Sequence, residues 1–381
     1  MTLVFLFTTV ANAKIWRVNN NPSLSKDVLE GSVLFDGTNN AANPEAAAED
    51  SIYFEPSTTT YNGITLTKAN ITIIGYGYFL NENTGLQVNA NNAKISSIEF
   101  GPLSAGSSIS GMEITSVAYL TASNITITRC ILPTVYLYNY AVNATGIRID
   151  KCFIISSFTE TSTQAAVTSI TISVENCIFS GTTQGGGTSG FGVGQKVRGL
   201  FRNNTMNQAS AMYCYNFYIA NNIYVGNTNF GNVTQSGNNV YKNNLLAYAS
   251  NAQNSFVTNV IPNTGNLFAV NMAPVFIGTT DNVYNAGTST YNNFINLTGF
   301  TQEGRFVIKT TANPALAGGE SGTTFGGATV TTPNCGAYGA TDPYRLAGIP
   351  PIPTIYSLTV PATVPNGAAS MNISISSRNN N

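Results

Sequence analysis

This chain of 381 residues carries a net charge of −1, and only 9% of its residues are Asp, Glu, Lys or Arg, against ~25% in ordinary globular proteins. Asn, Thr, Ser and Gly replace the missing charge and give a neutral polar surface; the absence of clustered Lys and Arg argues against binding that rests on neutralising phosphates and disfavours anionic lipid. There is no histidine and no Cys-x-x-Cys pair, so zinc has no ligand set.

From the N-terminus, Leu3-Val-Phe-Leu-Phe-Thr-Thr-Val10 is a short apolar run, and Ala11-Asn-Ala13 follows the small-x-small pattern of a cleavage site. Residues 1–13 read as an export signal, which places the mature chain from Lys14 in a secreted or cell-surface location. The run lacks the usual basic flank, and the alternative is a buried first strand. No other stretch approaches the ~18 apolar residues of a membrane span. Residues 14–49 predict a strand, Lys14-Ile-Trp-Arg-Val18, and a short capping helix over 41–50. Proline near its start and alanines through its middle favour that helix, which would plug an open end.

Ser51-Ile-Tyr-Phe54, Gly63-Ile-Thr-Leu66, Ile71-Thr-Ile-Ile-Gly75, Ala93-Lys-Ile-Ser-Ser-Ile-Glu-Phe100 and Met112-Glu-Ile-Thr115 are short strands set between turn residues. A phrase then recurs: Ile125-Thr-Ile-Thr-Arg-Cys130, Ile147-Arg-Ile-Asp-Lys-Cys152, Ile172-Ser-Val-Glu-Asn-Cys177, Phe201-Arg-Asn-Asn204, Ile219-Ala-Asn-Asn222 and Tyr241-Lys-Asn-Asn244. Its last residues lie 22, 25, 27, 18 and 22 positions apart, a solenoid repeat of variable length. Stacked short strands predict an all-β fold, a single-stranded parallel β-helix over residues 50–344, in which each coil touches only its neighbours.

Equivalent residues on stacked strands lie ~4.8 Å apart, so Cys130, Cys152 and Cys177 make an internal ladder of small hydrophobes. Free thiols and one disulfide within the column are both open, since the spacing permits a bridge. Asn204, Asn222 and Asn244 continue the column. There Asn offers a backbone near the left-handed region and an amide that bonds its counterparts above and below. Past Asn244 the register loosens, with 254–260, 274–277 and 305–309 as strands of irregular last coils. Residues 345–381 predict a Pro-rich tether along the outside of the body, then two alternating strands, Ile355-Tyr-Ser-Leu-Thr-Val360 and Met371-Asn-Ile-Ser-Ile-Ser376, that would pair as a small hairpin or sheet covering the C-terminal end.

Glu49-Asp-Ser-Ile-Tyr-Phe-Glu-Pro56, Tyr61-Asn-Gly-Ile-Thr-Leu-Thr67 and Asn70-Ile-Thr-Ile-Ile-Gly75 resemble the opening coils of secreted right-handed parallel β-helix proteins of the pectate-lyase-like superfamily. Cys335-Gly-Ala-Tyr-Gly339 and Asp342-Pro-Tyr-Arg-Leu-Ala-Gly-Ile-Pro-Pro-Ile-Pro353 are similar to the close of bacterial surface proteins of that fold. The resemblance covers about residues 50–353 and implies right-handed coils, in line with the general hand of parallel crossovers. It implies no single activity, because the superfamily includes polysaccharide lyases, polygalacturonases and adhesins. Polygalacturonase-like members carry paired aspartates and a Gly-His-Gly motif, and this chain has neither. Pectate-lyase-like members hold calcium with several carboxylates. Between Phe79 and Thr280 only Glu82, Glu99, Glu113, Asp150, Glu160 and Glu175 occur, mostly on different faces, too few for ~6 oxygens around one ion. No cofactor or metal is expected, and calcium belongs only to a lyase reading.

Two groups of side chains carry possible chemistry. Arg148, Asp150, Glu175 and Arg202 fall outward on one sheet of three successive coils. As a site, the arginines would grip a sugar carboxylate while Asp150 or Glu175 accepts a proton; as plain sheet chemistry they form a surface salt-bridge ladder, which is the expectation. Tyr136, Tyr138 and Tyr140 alternate along one strand, which puts three rings on one side, either to stack on sugars or to pack under longer turns. The Gly-rich run 181–194 lacks a Gly-Lys-Ser/Thr ending and a βαβ setting, and reads as a loop.

The expected function is an exported, non-catalytic β-helix serving as an adhesin or scaffold at the cell surface or in the matrix. Its partners would be polysaccharide or another surface protein, with no nucleic acid and no membrane insertion. The alternatives are a polysaccharide lyase or hydrolase on the charged ladder, and a recognition module docking through the tether and the last strands.

Overall fold

The computed structural model describes residues 13–19, 46–138, 140, 142–161, 165–180, 190–207, 211–226, 237–247, 264–277, 284–285, 290–291, 300–323, 329–331, 333–340, 342–364, 366 and 370–379. The export signal over 1–12, the first half of the expected helix and the strand expected at 254–260 lie outside them. The second half of that helix, 46–50, is a turn. Asp50 organises it: its carboxylate accepts the backbone N–H groups of Lys14 (2.7 Å) and Ala47 (2.9 Å) and the Trp16 indole (2.7 Å).

In chain order the strands are β1 (Ile15–Val18), β2 (Ser51–Phe54), β3 (Ile64–Leu66), β4 (Thr72–Ile74), β5 (Lys94–Phe100), β6 (Ser108–Ser110), β7 (Glu113–Leu120), β8 (Thr126–Thr128), β9 (Ile131–Tyr138), β10 (Ala144–Asp150) and β11 (Phe153–Thr161). There follow β12 (Ile170–Glu175), β13 (Ile178–Phe179), β14 (Gly190–Gly192), β15 (Val197–Arg202), β16 (Thr205–Met206), β17 (Ala211–Tyr213), β18 (Phe217–Ala220), β19 (Ile223–Tyr224), β20 (Val240–Lys242) and β21 (Leu245–Leu246). Sheet one has the order β1-β2-β4-β6-β8-β10-β12-β15-β18-β20, and sheet two β21-β19-β16-β13-β11-β9-β7-β5-β3, with β14 joining β11 to β17. Every pairing within the two sheets is parallel. From β2 onward the chain visits sheet two between successive strands of sheet one, which supplies the crossover that parallel strands need. The architecture is nearly all-β with long parallel sheets, compatible with a parallel β-helix.

The repeat stacks like on like. Ile52, Ile73, Ile109, Ile127, Ile149, Val174, Phe201, Ile219 and Tyr241 are register partners along sheet one. Ile98, Ala118, Val135, Phe158 and Phe191 do the same in sheet two. All are buried in one continuous core, where each large side chain contributes ~1.5–3 kcal/mol.

Left-handed residues bracket the sheet-one strands. Asn70, Asn124, Asn216 and Asn238 precede them and Gly146 sits at the irregularity near the start of β10, while Gly111, Arg129, Lys151, Asn176, Asn203, Asn221, Asn243 and Gly265 follow, all with φ between 50° and 71°. A left-handed residue turns an extended chain sharply and costs most side chains ~1–2 kcal/mol, so Asn and Gly hold most of these corners.

Isolated bridges from Lys242 to Thr264 and from Leu245 to Leu267 add one more rung to the stack. Beyond it the expected strands at 274–277 and 305–309 are replaced by a single antiparallel bridge between Phe276 and Ile308 and a 3-10 turn at Gly304–Phe306. The reason is packing: Phe276, Phe306 and Ile308 cover an outward apolar row of Ile131, Phe153, Ile178, Ile223 and Leu245. The end of the Gly-rich run is strand β14 rather than loop, and 181–189 lie outside the described residues. The last strands, Thr354–Thr359 and Ser374–Arg378, form an antiparallel hairpin.

Candidate functional site

The register of β8, β10, β12, β15, β18 and β20 sets Cys130, Cys152, Cys177, Asn204, Asn222 and Asn244 one above another, two residues beyond the partners Thr128, Asp150, Glu175, Arg202, Ala220 and Lys242. The cysteines are free and buried, and burial pushes the thiols of Cys130 and Cys152 well above the usual range. Cys177 N–H donates to Asn204 Oδ1 (2.9 Å), Asn204 N–H to Asn222 Oδ1 (2.8 Å) and Asn222 N–H to Asn244 Oδ1 (3.0 Å). The amide nitrogens of Asn204, Asn222 and Asn244 donate to the carbonyls of Val174, Phe201 and Ile219 at 2.9–3.0 Å. Asn266 extends the ladder, accepting Asn244 N–H at 3.0 Å. Its phrase, Gly265-Asn-Leu, repeats Asn243-Asn-Leu 22 residues on, a signal that counting onward would have found. The left-handed conformation belongs not to Asn204, Asn222 and Asn244 but to the residue before each.

Those preceding residues make an outer column that grips the chain as it returns. Asn243 Nδ2 donates to Gly318 O (2.9 Å), Asn221 Nδ2 to Glu320 O (3.0 Å), Asn203 Nδ2 to Asn334 O (2.8 Å) and Asn176 Nδ2 to Ala337 O (3.0 Å). Lys151 Nζ pairs with Asp342 at 2.6 Å, and Arg129 Nη1 donates to Ile349 O at 2.7 Å. The described residues between 318 and 349 therefore form a strap that runs back along the stack and touches each rung from Asn243 to Arg129.

The strap changes the charged row. Asp150, Glu175 and Arg202 are register partners, and Arg148 lies two residues before Asp150, opposite Ser173. They leave the core side as expected, but Asp150, Glu175 and Arg202 are only 7%, 2% and 5% exposed. An open surface ladder is not what forms, because covered charges require close partners. Lys151 Nζ lies 2.8 Å from Asp150 Oδ2, and Arg202 Nη2 donates to Glu320 O at 2.8 Å. Burial pushes the Asp342 carboxyl up, but Lys151 and the nearby arginines outweigh it and leave the group below its ordinary range. A recess of about 480 Å³ remains between Arg129, Arg148, Asp150, Lys151 and Asp342.

On sheet two, Tyr136 and Tyr138 face outward and are half-buried, whereas Tyr140 is buried, its hydroxyl donating to Ala122 O at 3.4 Å. The alternation stops at Tyr138, the last residue of β9, so three rings on one side do not form from this strand. The third ring comes from β7. Tyr119 is the register partner of Tyr136; their rings stack at 5.5 Å and 17°, and Tyr138 tilts against Tyr119 at 5.3 Å. Glu99 and Thr159 flank this group in register, with Thr161 opposite Tyr138.

A fourth element was not anticipated. Glu303 is fully buried, its carboxylate accepting from Asn83 Nδ2 (3.0 Å), Tyr344 Oη (2.5 Å) and Ala347 N–H (2.5 Å). Burial raises it to about 8 despite those three donors. Tyr344 in turn bonds Tyr78 at 2.5 Å, so this acid pins the far end of the strap to the loop after β4.

Among the described residues, no three His, Cys, Asp or Glu side chains gather as a metal site. No family model, no curated protein and no solved structure matches the chain.

Proposed function

We propose that the chain is an exported right-handed parallel β-helix of the pectate-lyase-like kind, acting without catalysis as an adhesin or scaffold at the cell surface or in the matrix. It would contact polysaccharide through Tyr119, Tyr136 and Tyr138. The observation that carries the reading is the burial of Asp150, Glu175 and Arg202 under the strap, which spends their charge on internal partners. The tyrosine group, by contrast, stands on an outward sheet face among Thr side chains, with ring edges and hydroxyls free to meet sugar hydroxyls.

A second reading is favoured by the recess beside Arg148 and Asp150, which would admit a uronate carboxylate to Arg148 and make the protein a polysaccharide lyase, with calcium possible only there. One screen separates the two. Purified 14–381 is mixed with acidic and neutral polysaccharides, with and without calcium, reading double-bond formation, new reducing ends and retardation in affinity gels. The scaffold reading expects no turnover, and retardation weakened about threefold to tenfold by Tyr136→Ala, the worth of one aromatic contact. Turnover that vanishes in Arg148→Ala and Asp150→Ala would replace it with the lyase.

A further inference from the structure

The hairpin of Thr354–Thr359 and Ser374–Arg378 is held to the body only at its base among the described contacts. Val88 N–H donates to Ile355 O at 3.1 Å, and Arg378 Nη2 donates to Leu86 O at 2.9 Å while its guanidinium lies 5.5 Å from the Tyr356 ring. Leu358 is opposite Ile375, and Thr359 opposite Ser374. Alternation therefore sorts the two faces. One carries Leu358 and Ile375, continued by Val360 and Ile373; the other carries Ser357, Thr359, Ser374 and Ser376.

The apolar face is bare: Leu358, Val360, Ile373 and Ile375 are 45%, 49%, 48% and 61% exposed. Scattered exposed hydrophobes need no explanation, but a contiguous one-sided set does. A two-stranded hairpin is marginal by itself and becomes stable when its apolar face is covered.

We infer that this face packs against the same face of a second copy of the chain, forming a two-layer, four-stranded contact about a twofold axis. Charge decides the occupant. Residues 354–379 contain one charged side chain, Arg378, and it is turned back onto Leu86 and Tyr356. Two copies thus meet with no charge to desolvate or repel, whereas an acidic or basic partner would find nothing to pair with. An isologous contact also asks only that the face suit itself. It buries on the order of 800 Å² in total, below the ~1,200–2,000 Å² of stable specific interfaces, so the association is weak, transient and concentration-dependent.

Sedimentation equilibrium of the full chain from roughly 5 to 200 μM, the range suited to a contact of that size, reads it directly. The expected result is a rise towards twice the monomer mass, abolished in the Leu358→Lys/Ile375→Lys double variant and kept in Thr359→Lys/Ser374→Lys, which burdens the opposite face of the same strands. A monomer throughout the range would overturn the inference. So would a dimer that survives the first variant, or one lost equally in both.

Discussion

The inner and outer asparagine columns stand one residue apart in sequence and do opposite work. Asn204, Asn222 and Asn244 are not left-handed, are fully buried and bond the rung above and below. Asn203, Asn221 and Asn243 have left-handed backbones and spend their amides on a segment that arrives about 75 to 130 residues later. The first column binds neighbouring repeats, so its loss opens the core. The second binds the strap to the stack, so its loss loosens only the cover. The same side chain thus acts as mortar or as a hook according to which side of the corner it falls.

The largest effect belongs to the inner column. Asn222→Ala strands the buried N–H of Asn204 and the carbonyl of Phe201, at ~1–3 kcal/mol for each group. We expect about 3–5 kcal/mol lost in urea denaturation; a loss below about 1 kcal/mol would break the distinction between the columns.

A titrating group outside the strap pins its far end, and the asparagine ladder has none. Glu303 is raised by burial from 4.5 to about 8 in the folded protein, so between those values the folded state holds the proton more tightly than the unfolded one. Its contribution is whole below pH 4.5 and is lost as pH rises through 8, with a slope approaching ~1.4 kcal/mol per unit. Denaturation midpoints measured across pH 5 to 8 should fall, and Glu303→Gln should flatten that fall.

Smaller still is the outer column. Asn203→Ala removes one hydrogen bond and forces alanine into the left-handed region, about 2 kcal/mol together, whereas Asn203→Gly forgives the backbone and costs about 1 kcal/mol. Equal losses in the two variants would show that the corner carries no strain. Least of all, the buried thiols should resist alkylation: Cys335, raised by burial to about 12, and the other four should stay unlabelled in the native protein and react fully in urea.

The cysteine–asparagine column was legible because its intervals repeat and its residue types are rare at one spacing. The role of Asn203, Asn221 and Asn243 was not, since an Asn-Asn pair does not say which member turns the corner. Arg129, Lys151 and Asn176 before the cysteines carried that hint. The cover over Asp150, Glu175 and Arg202 comes from residues as distant as Glu320 and Asp342, and alternation within a strand cannot report what lies above it. Tyr119 joined Tyr136 through register, which counting along one strand does not reveal, and Glu303 sits in a stretch with no clear periodicity.

The strap has a mechanical meaning. The hairpin follows directly on the rung at Ile349, so tension applied through it meets its own anchors at Leu86 and Val88 first, then Arg129, Glu303, Lys151, Asn176, Asn203, Asn221 and Asn243 in turn. Contacts loaded in series, one at a time, unzip at low force over a long travel while the stacked core stays intact. Under such a pull the cover would yield before the stacked core.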